Sequence, residues 1–147
     1  MKFNSSQFTP TEHSTAEDKA KFANQFVEFV SGGFRRSDFP KWFYTRLSMT
    51  FGHIAHYNQE GFYSYFFEDT AAKVNFLKWC AEAGCYGSPK FTYCDVEREI
   101  QTWLRANNCV ARATMELKSE IENSDRTEYD RLKGKFERTN PSQNYKL

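Results

Sequence analysis

The chain has 147 residues, a length that suits a single domain, and its 18% of Phe, Tyr and Trp can supply an aromatic-rich core. Twenty Lys and Arg against nineteen Asp and Glu leave a formal charge of +1, which excludes a global field that would attract nucleic acid or an anionic membrane. Because the sequence contains no secretory signal and no apolar run of about 18 residues, we expect a cytoplasmic protein with no membrane span.

The first predicted helix follows a polar N-terminal segment. Residues 1–13 predict a flexible arm that is ordered only where Phe3 or Phe8 docks. The spacing from Ser14 to Glu17 is that of a capping box, in which a hydroxyl caps the helix and Glu17 reaches back. The helix then carries one apolar stripe and is expected to end at Gly32-Gly33. The stripe consists of Phe22, Phe26, Phe29 and Val30.

A second helix is predicted from about residue 40 to residue 57, because Pro40 suits a first helical turn. Its core stripe is expected to contain Phe43, Leu47, Phe51 and Ile54. The run 62–67 is short and aromatic, which favours a β-strand over a helix. Residues 90–93 predict a second short strand that pairs with the first in a two-stranded ribbon.

The remaining sequence predicts further helices over 69–83 and from residue 95 to Asn107-Asn108, since Asn tolerates the left-handed conformation at a helix end. A fifth helix is expected from Cys109, a charged sixth one over 124–138, and a disordered tail over 139–147. The predicted fold class is therefore mainly α, with five or six helices around an aromatic core. The predicted domain organisation is a flexible arm over 1–13 and a single globular domain over 14–123, followed by the charged helix and the disordered tail.

The segment 34–67 is the most promising place for a site, because it holds 12 of the 26 aromatic residues and two of the three histidines. Aromatic stripes at helical spacing more often pack in the core than form a recognition surface. The alternative interpretation is therefore that this segment forms the centre of the core. An offset helix face and the following strand nevertheless predict a protein-binding patch, since Trp, Tyr and Arg dominate interface hot spots. The predicted binding residues are Trp42, Arg46, Met49, His53, His56, Tyr63 and Tyr65.

The same segment leaves nucleic-acid binding open. Between residues 34 and 46, cations that neutralise phosphates alternate with rings that stack on bases. The near-zero net charge argues against this function, and several of these rings are expected to point into the core. The residues predicted for it are Arg35, Arg36, Lys41 and Tyr44.

A metal site is a further alternative. His53 and His56 lie three residues apart on one predicted helix face, and Glu60 continues that face, so the three side chains can converge on zinc or iron. The spacing is H-x-x-H, without the H-E-x-x-H arrangement that supplies a general base. The alternative is two part-buried histidines, each of which hydrogen-bonds to a backbone carbonyl or a neighbouring Tyr. The four cysteines contain no C-x-x-C pair, so buried thiols are expected rather than a zinc site.

Covalent catalysis has one candidate, Cys94, which directly precedes a predicted helix N-terminus that would lower the pKa of its thiol. The sequence contains no G-x-S-x-G elbow and no phosphate-binding loop. The favoured function is thus a non-enzymatic protein-interaction module that regulates or inhibits a protein partner, without a cofactor and with self-association left open. A nucleic-acid-binding accessory protein and a small metal-dependent enzyme remain the alternatives. Small size without catalytic motifs is also typical of phage and mobile-element proteins.

Overall fold

In the computed structural model, which describes residues 3–52 and 58–139, the chain is mainly helical, and this confirms the predicted fold class. Stretches of sequence with helical periodicity become packed helices, and aromatic side chains fill the space between them. Within the described residues, no helix is both long and apolar enough to cross a membrane. The helices are α1 (Ala16–Ser31), α2 (Lys41–Met49), α3 (Gln59–Phe67), α4 (Thr70–Glu82), α5 (Cys94–Ala106) and α6 (Cys109–Thr139).

Residues 3–13, expected to be a flexible arm, are anchored on α1. Phe3 and Phe8 are both buried in the aromatic core. The backbone of Phe3 exchanges two hydrogen bonds of 2.9 Å with the side-chain amide of Asn24, one donated in each direction. The Thr9 amide donates to Asp95 at 3.0 Å, which fastens the arm to the start of α5.

The capping box of α1 lies one residue later than the sequence predicts. Thr15 is the N-cap and accepts a hydrogen bond from the Asp18 amide at 3.0 Å, while the Asp18 carboxylate accepts from the Thr15 amide at 2.9 Å. Ser14 is buried instead, and its amide donates to the Thr11 hydroxyl. The predicted end is confirmed, since Gly33 adopts φ +85° directly after the helix, a conformation that glycine reaches without strain.

The predicted strand over 62–67 is wrong: these residues belong to α3. The Asn58 side chain caps this helix by accepting a hydrogen bond from the Gly61 amide at 2.7 Å. Helical spacing brings the Phe62 and Phe66 rings to 4.6 Å, and Phe62 and Phe67 are buried in the core. Packing of these rings outweighs the strand propensity of single aromatic residues. Residues 90–93 form turns, so the ribbon is absent from the described residues.

Helix α2 is shorter than predicted. It ends at Met49, and after it Phe51 adopts φ +57°, which breaks the helical path. The rest of the predicted helix, 53–57, lies outside the described residues. Phe43, Leu47 and Phe51 are buried as the core stripe requires.

The fifth and sixth predicted helices are one continuous helix, α6. The predicted break at Asn107-Asn108 is confirmed, because Asn108 adopts φ +51° between α5 and α6. The predicted interruption near residue 123 is wrong, since α6 runs for 31 residues. Its sequence contains neither Pro nor, before Gly134, a Gly residue that would end a helix. Apart from Thr139, the predicted disordered tail lies outside the described residues.

Candidate functional site

A concave surface, hereafter the groove, lies between the end of α2, the end of α4 and the connection 84–93. It encloses about 890 Å³, a volume within the range of ligand and peptide pockets. It is lined by Thr11, His13, Ser14, Arg46, Met49, Thr50, Phe51, Trp79, Glu82, Ala83, Gly84, Tyr86, Phe91, Thr92, Tyr93 and Glu97.

Polar groups meet on the inner side of the groove. The Arg46 guanidinium lies over the Tyr93 ring, 4.3 Å from its centroid. Glu97 accepts a hydrogen bond from the Phe51 amide at 3.1 Å, and the Trp79 indole donates to the Phe51 carbonyl. The left-handed conformation of Phe51 is costly for a bulky residue, and these two bonds hold it in place.

Large apolar side chains stand at the rim of the groove. Tyr86 and Phe91 are 81% and 80% exposed, and Met49 and Trp79 are 67% and 52% exposed. Trp79 also lines a neighbouring depression of about 390 Å³, to which Tyr65 contributes. The groove and this depression therefore form one surface that carries five exposed large apolar side chains, called the aromatic surface below.

The rim segment 84–93 is held by a buried cation. The Lys19 ammonium group is fully buried and donates to the Pro89 carbonyl at 2.8 Å and to the Thr92 carbonyl at 3.0 Å. Its third bond, of 2.9 Å, is an ion pair with Asp95 at the first turn of α5. Because all three protons of the ammonium group have acceptors, its burial is compensated and the rim is fixed to α1 and α5.

Hydrogen bonds within the rim segment hold it further. The Cys94 thiol donates to the Gly87 carbonyl at 3.3 Å, and the Thr92 hydroxyl lies 3.0 Å from the Ser88 carbonyl. Gly87 adopts φ +87°, and a Cβ atom there would come within 2.8 Å of the Thr92 side chain. The rim is thus an ordered turn that presents Tyr86 and Phe91 from a fixed backbone.

The electrostatics of the groove centre on Glu97. Burial raises the pKa of this carboxyl group, and the hydrogen bond from the Phe51 amide opposes that rise only in part. Burial also raises the pKa of the thiols of Cys80, Cys85 and Cys109. These thiols therefore ionise less readily than an ordinary cysteine, which makes them poor nucleophiles.

Glu97→Gln is expected to raise the free energy of unfolding at pH 7. The raised pKa means that the folded state binds a proton more tightly than the unfolded state, so stability falls as the pH rises through the folded-state pKa. Glutamine keeps an acceptor for the Phe51 amide but carries no charge. Urea unfolding at pH 4 and pH 7 should show the gain mainly at pH 7. Glu82→Gln, on the exposed part of the groove, is the control, and equal effects of the two changes would contradict the explanation.

The structure separates the predicted binding residues. Arg46 and Met49 line the groove, and Tyr65 lines the neighbouring depression. Trp42 lies beside Lys21, whose ammonium group is 4.4 Å from the indole, and Tyr63 donates from its hydroxyl to the Phe34 carbonyl at 2.6 Å. His53 and His56 lie outside the described residues.

The residues predicted for nucleic-acid binding are largely engaged within the fold. Arg35 pairs with Asp38 at 2.9 Å, and Arg36 forms an ion pair with Glu60. The Tyr44 ring packs against Phe62 at 5.5 Å, whereas Lys41 is exposed. Among residues 3–52 and 58–139, no three His, Cys, Asp or Glu side chains are grouped so as to hold a metal ion. Of the predicted metal ligands, Glu60 is the one described, and it faces Arg36.

Four residues of this surface were not predicted: Trp79, Tyr86, Phe91 and Glu97. Trp79 lies off the apolar stripe of α4, and an indole on the polar face of a helix is a signal of recognition. Tyr86 and Phe91 flank Gly87 and Pro89 in a turn, and binding residues are frequent on such connections. Glu97 carries no sequence signal, because its role depends on the backbone of Phe51.

The fold and this surface define a mainly helical domain with an aromatic core and an aromatic-rimmed groove. No protein-family model, curated protein or solved structure matches the chain.

Proposed function

We propose that the chain is a non-catalytic protein-binding module whose aromatic surface holds an apolar segment of a partner protein. The observation that carries the proposal is the clustering of five exposed large apolar side chains on the groove and the depression beside it. A non-catalytic module acts on its partner by covering or reshaping the partner's surface. We therefore expect that binding regulates or inhibits the partner protein. The five residues are Met49, Tyr65, Trp79, Tyr86 and Phe91.

The residue types support a protein partner. Trp and Tyr bury much area while few rotamers are frozen, and Met adapts its shape to different partners. The rim is fixed by Lys19 before any partner arrives, which reduces the ordering cost of binding. Large exposed apolar patches are rare on folded monomeric domains, and where they occur they mark interaction sites.

The charges of the groove suggest the character of the bound segment. Glu82 and Glu97 contribute two carboxylates against one guanidinium, that of Arg46. The Arg46 guanidinium is already stacked on Tyr93. We therefore expect an apolar segment that carries one Lys or Arg side chain toward the carboxylates.

Nucleic-acid binding through the segment 34–46 remains a weaker proposal. Its cations Arg35 and Arg36 face Asp38 and Glu60, so those charges are partly neutralised within the fold. Phosphate binding would have to compete with both ion pairs.

A displayed library of random peptides tests the proposal. We expect enrichment of apolar peptides that contain one basic residue, and we expect Tyr86→Ala and Phe91→Ala to weaken their binding about tenfold or more, as loss of a hot spot does. Tyr129→Ala is the matched control, since Tyr129 is also exposed (63%) but lies on α6. Fluorescence polarisation titrations give the dissociation constants. Enriched peptides that bind both rim variants as tightly as the unmodified chain would refute the proposal.

A further inference from the structure

The second half of α6 extends away from the helices that pack on its first half. A hydrogen bond of 2.9 Å from the Thr70 hydroxyl to Glu120 ties α6 to α4. From residue 118 to residue 133, every residue of the helix is exposed. The stretch from 119 to 139 spans about 30 Å at the ordinary helical rise. In proteins most of the stability of a helix comes from packing of an apolar face, so an apolar face on this half would gain from being covered.

An apolar stripe runs along this exposed half. Ile121, Tyr129, Leu132 and Phe136 are each about half exposed or more. At 100° per residue these four side chains fall within one arc of about 80°, so they share one face. Asp125 lies at the middle of the same face. The stripe is therefore apolar at both ends and carries one acidic side chain between them.

The charges of the helix are separated along its length. Residues 116–130 carry six acidic and two basic side chains, whereas residues 131–138 carry four basic and one acidic side chain. Glu128 and Arg131 pair at the boundary with an N–O distance of 2.6 Å. The helix is thus negative toward its middle and positive toward its C-terminal end.

We infer that two copies of the chain associate through antiparallel pairing of the second halves of α6. In an antiparallel pair centred between residues 128 and 129, the positive stretch 131–138 of each copy lies along residues 119–126 of the other, which carry three acidic side chains and one basic side chain. In a parallel pair like charges would face each other over the whole length, at a cost. The net charge of +1 gives the two copies little overall repulsion.

The spacing of the stripe defines a register for this pair. Placing Ile121 opposite Phe136 of the second copy brings Asp125 opposite Leu132, between Arg131 and Lys133 of that copy. The acidic residue that interrupts the stripe is then flanked by two cations, while the apolar ends meet each other. This register therefore pairs the two apolar ends of the stripe, places cations beside its acidic interruption and sets Tyr129 opposite Glu128.

Analytical ultracentrifugation from about 1 to 500 μM tests the association, since interfaces smaller than the usual size of about 1,600 Å² are typical of weak, transient complexes. We expect the mass to rise toward that of a dimer with concentration. Leu132→Glu should weaken dimerisation about tenfold or more, and Asp125→Leu should strengthen it. Thr127→Glu, which adds the same charge on the opposite helix face, is the matched control and should leave the dissociation constant unchanged. Circular dichroism verifies that each variant is folded.

Disulfide trapping tests the orientation. In a Cys85→Ser background, which removes the thiol that is not fully buried, Ile121→Cys and Phe136→Cys are oxidised separately and as a mixture. An antiparallel pair joins one variant to the other in the mixture, whereas a parallel pair joins each variant to itself.

Two results would overturn the inference: a monomeric mass over the whole concentration range, or equal effects of Leu132→Glu and Thr127→Glu. Self-linked products in the trapping experiment would overturn the antiparallel arrangement. The inference is independent of the proposed function, because Leu132→Glu should leave peptide binding at the aromatic surface intact.

Discussion

Replacing Lys19 with methionine is expected to lower the free energy of unfolding by about 3–5 kcal/mol, the cost of breaking a buried ion pair from one side. The ammonium group is fully buried, and its removal leaves the largely buried Asp95 carboxylate without its cation. It also leaves the carbonyls of Pro89 and Thr92 without a donor. Methionine fills most of the volume of the lysine stem, so the loss reports the polar contacts rather than a cavity.

Urea denaturation measures this loss, with Lys78→Met as the matched control on the exposed face of α4. The control should change the free energy of unfolding by less than about 0.5 kcal/mol. Adding Asp95→Asn to Lys19→Met should recover part of the stability, because the remaining side chain no longer carries an isolated charge. If Lys19→Met and Lys78→Met have the same effect, the buried cation does not hold the rim.

Phe29→Ala is the second change for which we expect a large effect, again about 3–5 kcal/mol of unfolding free energy. The Phe29 side chain is completely buried at the centre of the aromatic core. Its ring centroid lies 4.8 Å from that of Phe67, in an edge-to-face arrangement. Truncation would leave a ring-sized cavity and remove several edge-to-face contacts at once. The other rings around it are those of Phe34, Phe39 and Phe43.

The matched control for this prediction is Phe91→Ala, which removes the same side chain from an 80% exposed position. It should change the free energy of unfolding by less than about 0.5 kcal/mol, and thermal and urea denaturation should agree. A large destabilisation by Phe91→Ala would mean that this ring supports the fold, and its assignment to a binding rim would then fail.

Helical periodicity predicted most of the fold. The stripe of α1 and its Gly32-Gly33 end follow from local sequence, and so does the separation of α5 from α6 at Asn107-Asn108. The strand predicted over 62–67 was wrong because it rested on the strand propensity of single aromatic residues. The segment is helical because a helix buries Phe62 and Phe67 in the core. The interruption predicted near residue 123 rested on a scarcity of apolar residues, which does not by itself end a helix that contains no Pro and, before Gly134, no Gly.

The candidate site was predicted only in part. The sequence predicted Arg46 and Met49 because they lie on the same face of a predicted helix, and both line the groove. Tyr86, Phe91 and Glu97 were not, since their position depends on the rim segment folding back onto Lys19 of α1. No local pattern encodes a contact between a lysine and carbonyl groups this far away in the sequence. The predictions for His53 and His56 stay predictions.

The Lys19 contacts also have a consequence for how the chain acquires its binding surface during synthesis. They join residues separated by 70 to 76 positions, which makes them among the costliest loops for the chain to close. A ribosome-bound chain that has exposed α1 and α2 but not yet residue 95 lacks the Asp95 carboxylate that pairs with the Lys19 charge. The rim is therefore completed only after residue 95 has emerged, and a partner cannot engage the finished rim before that point.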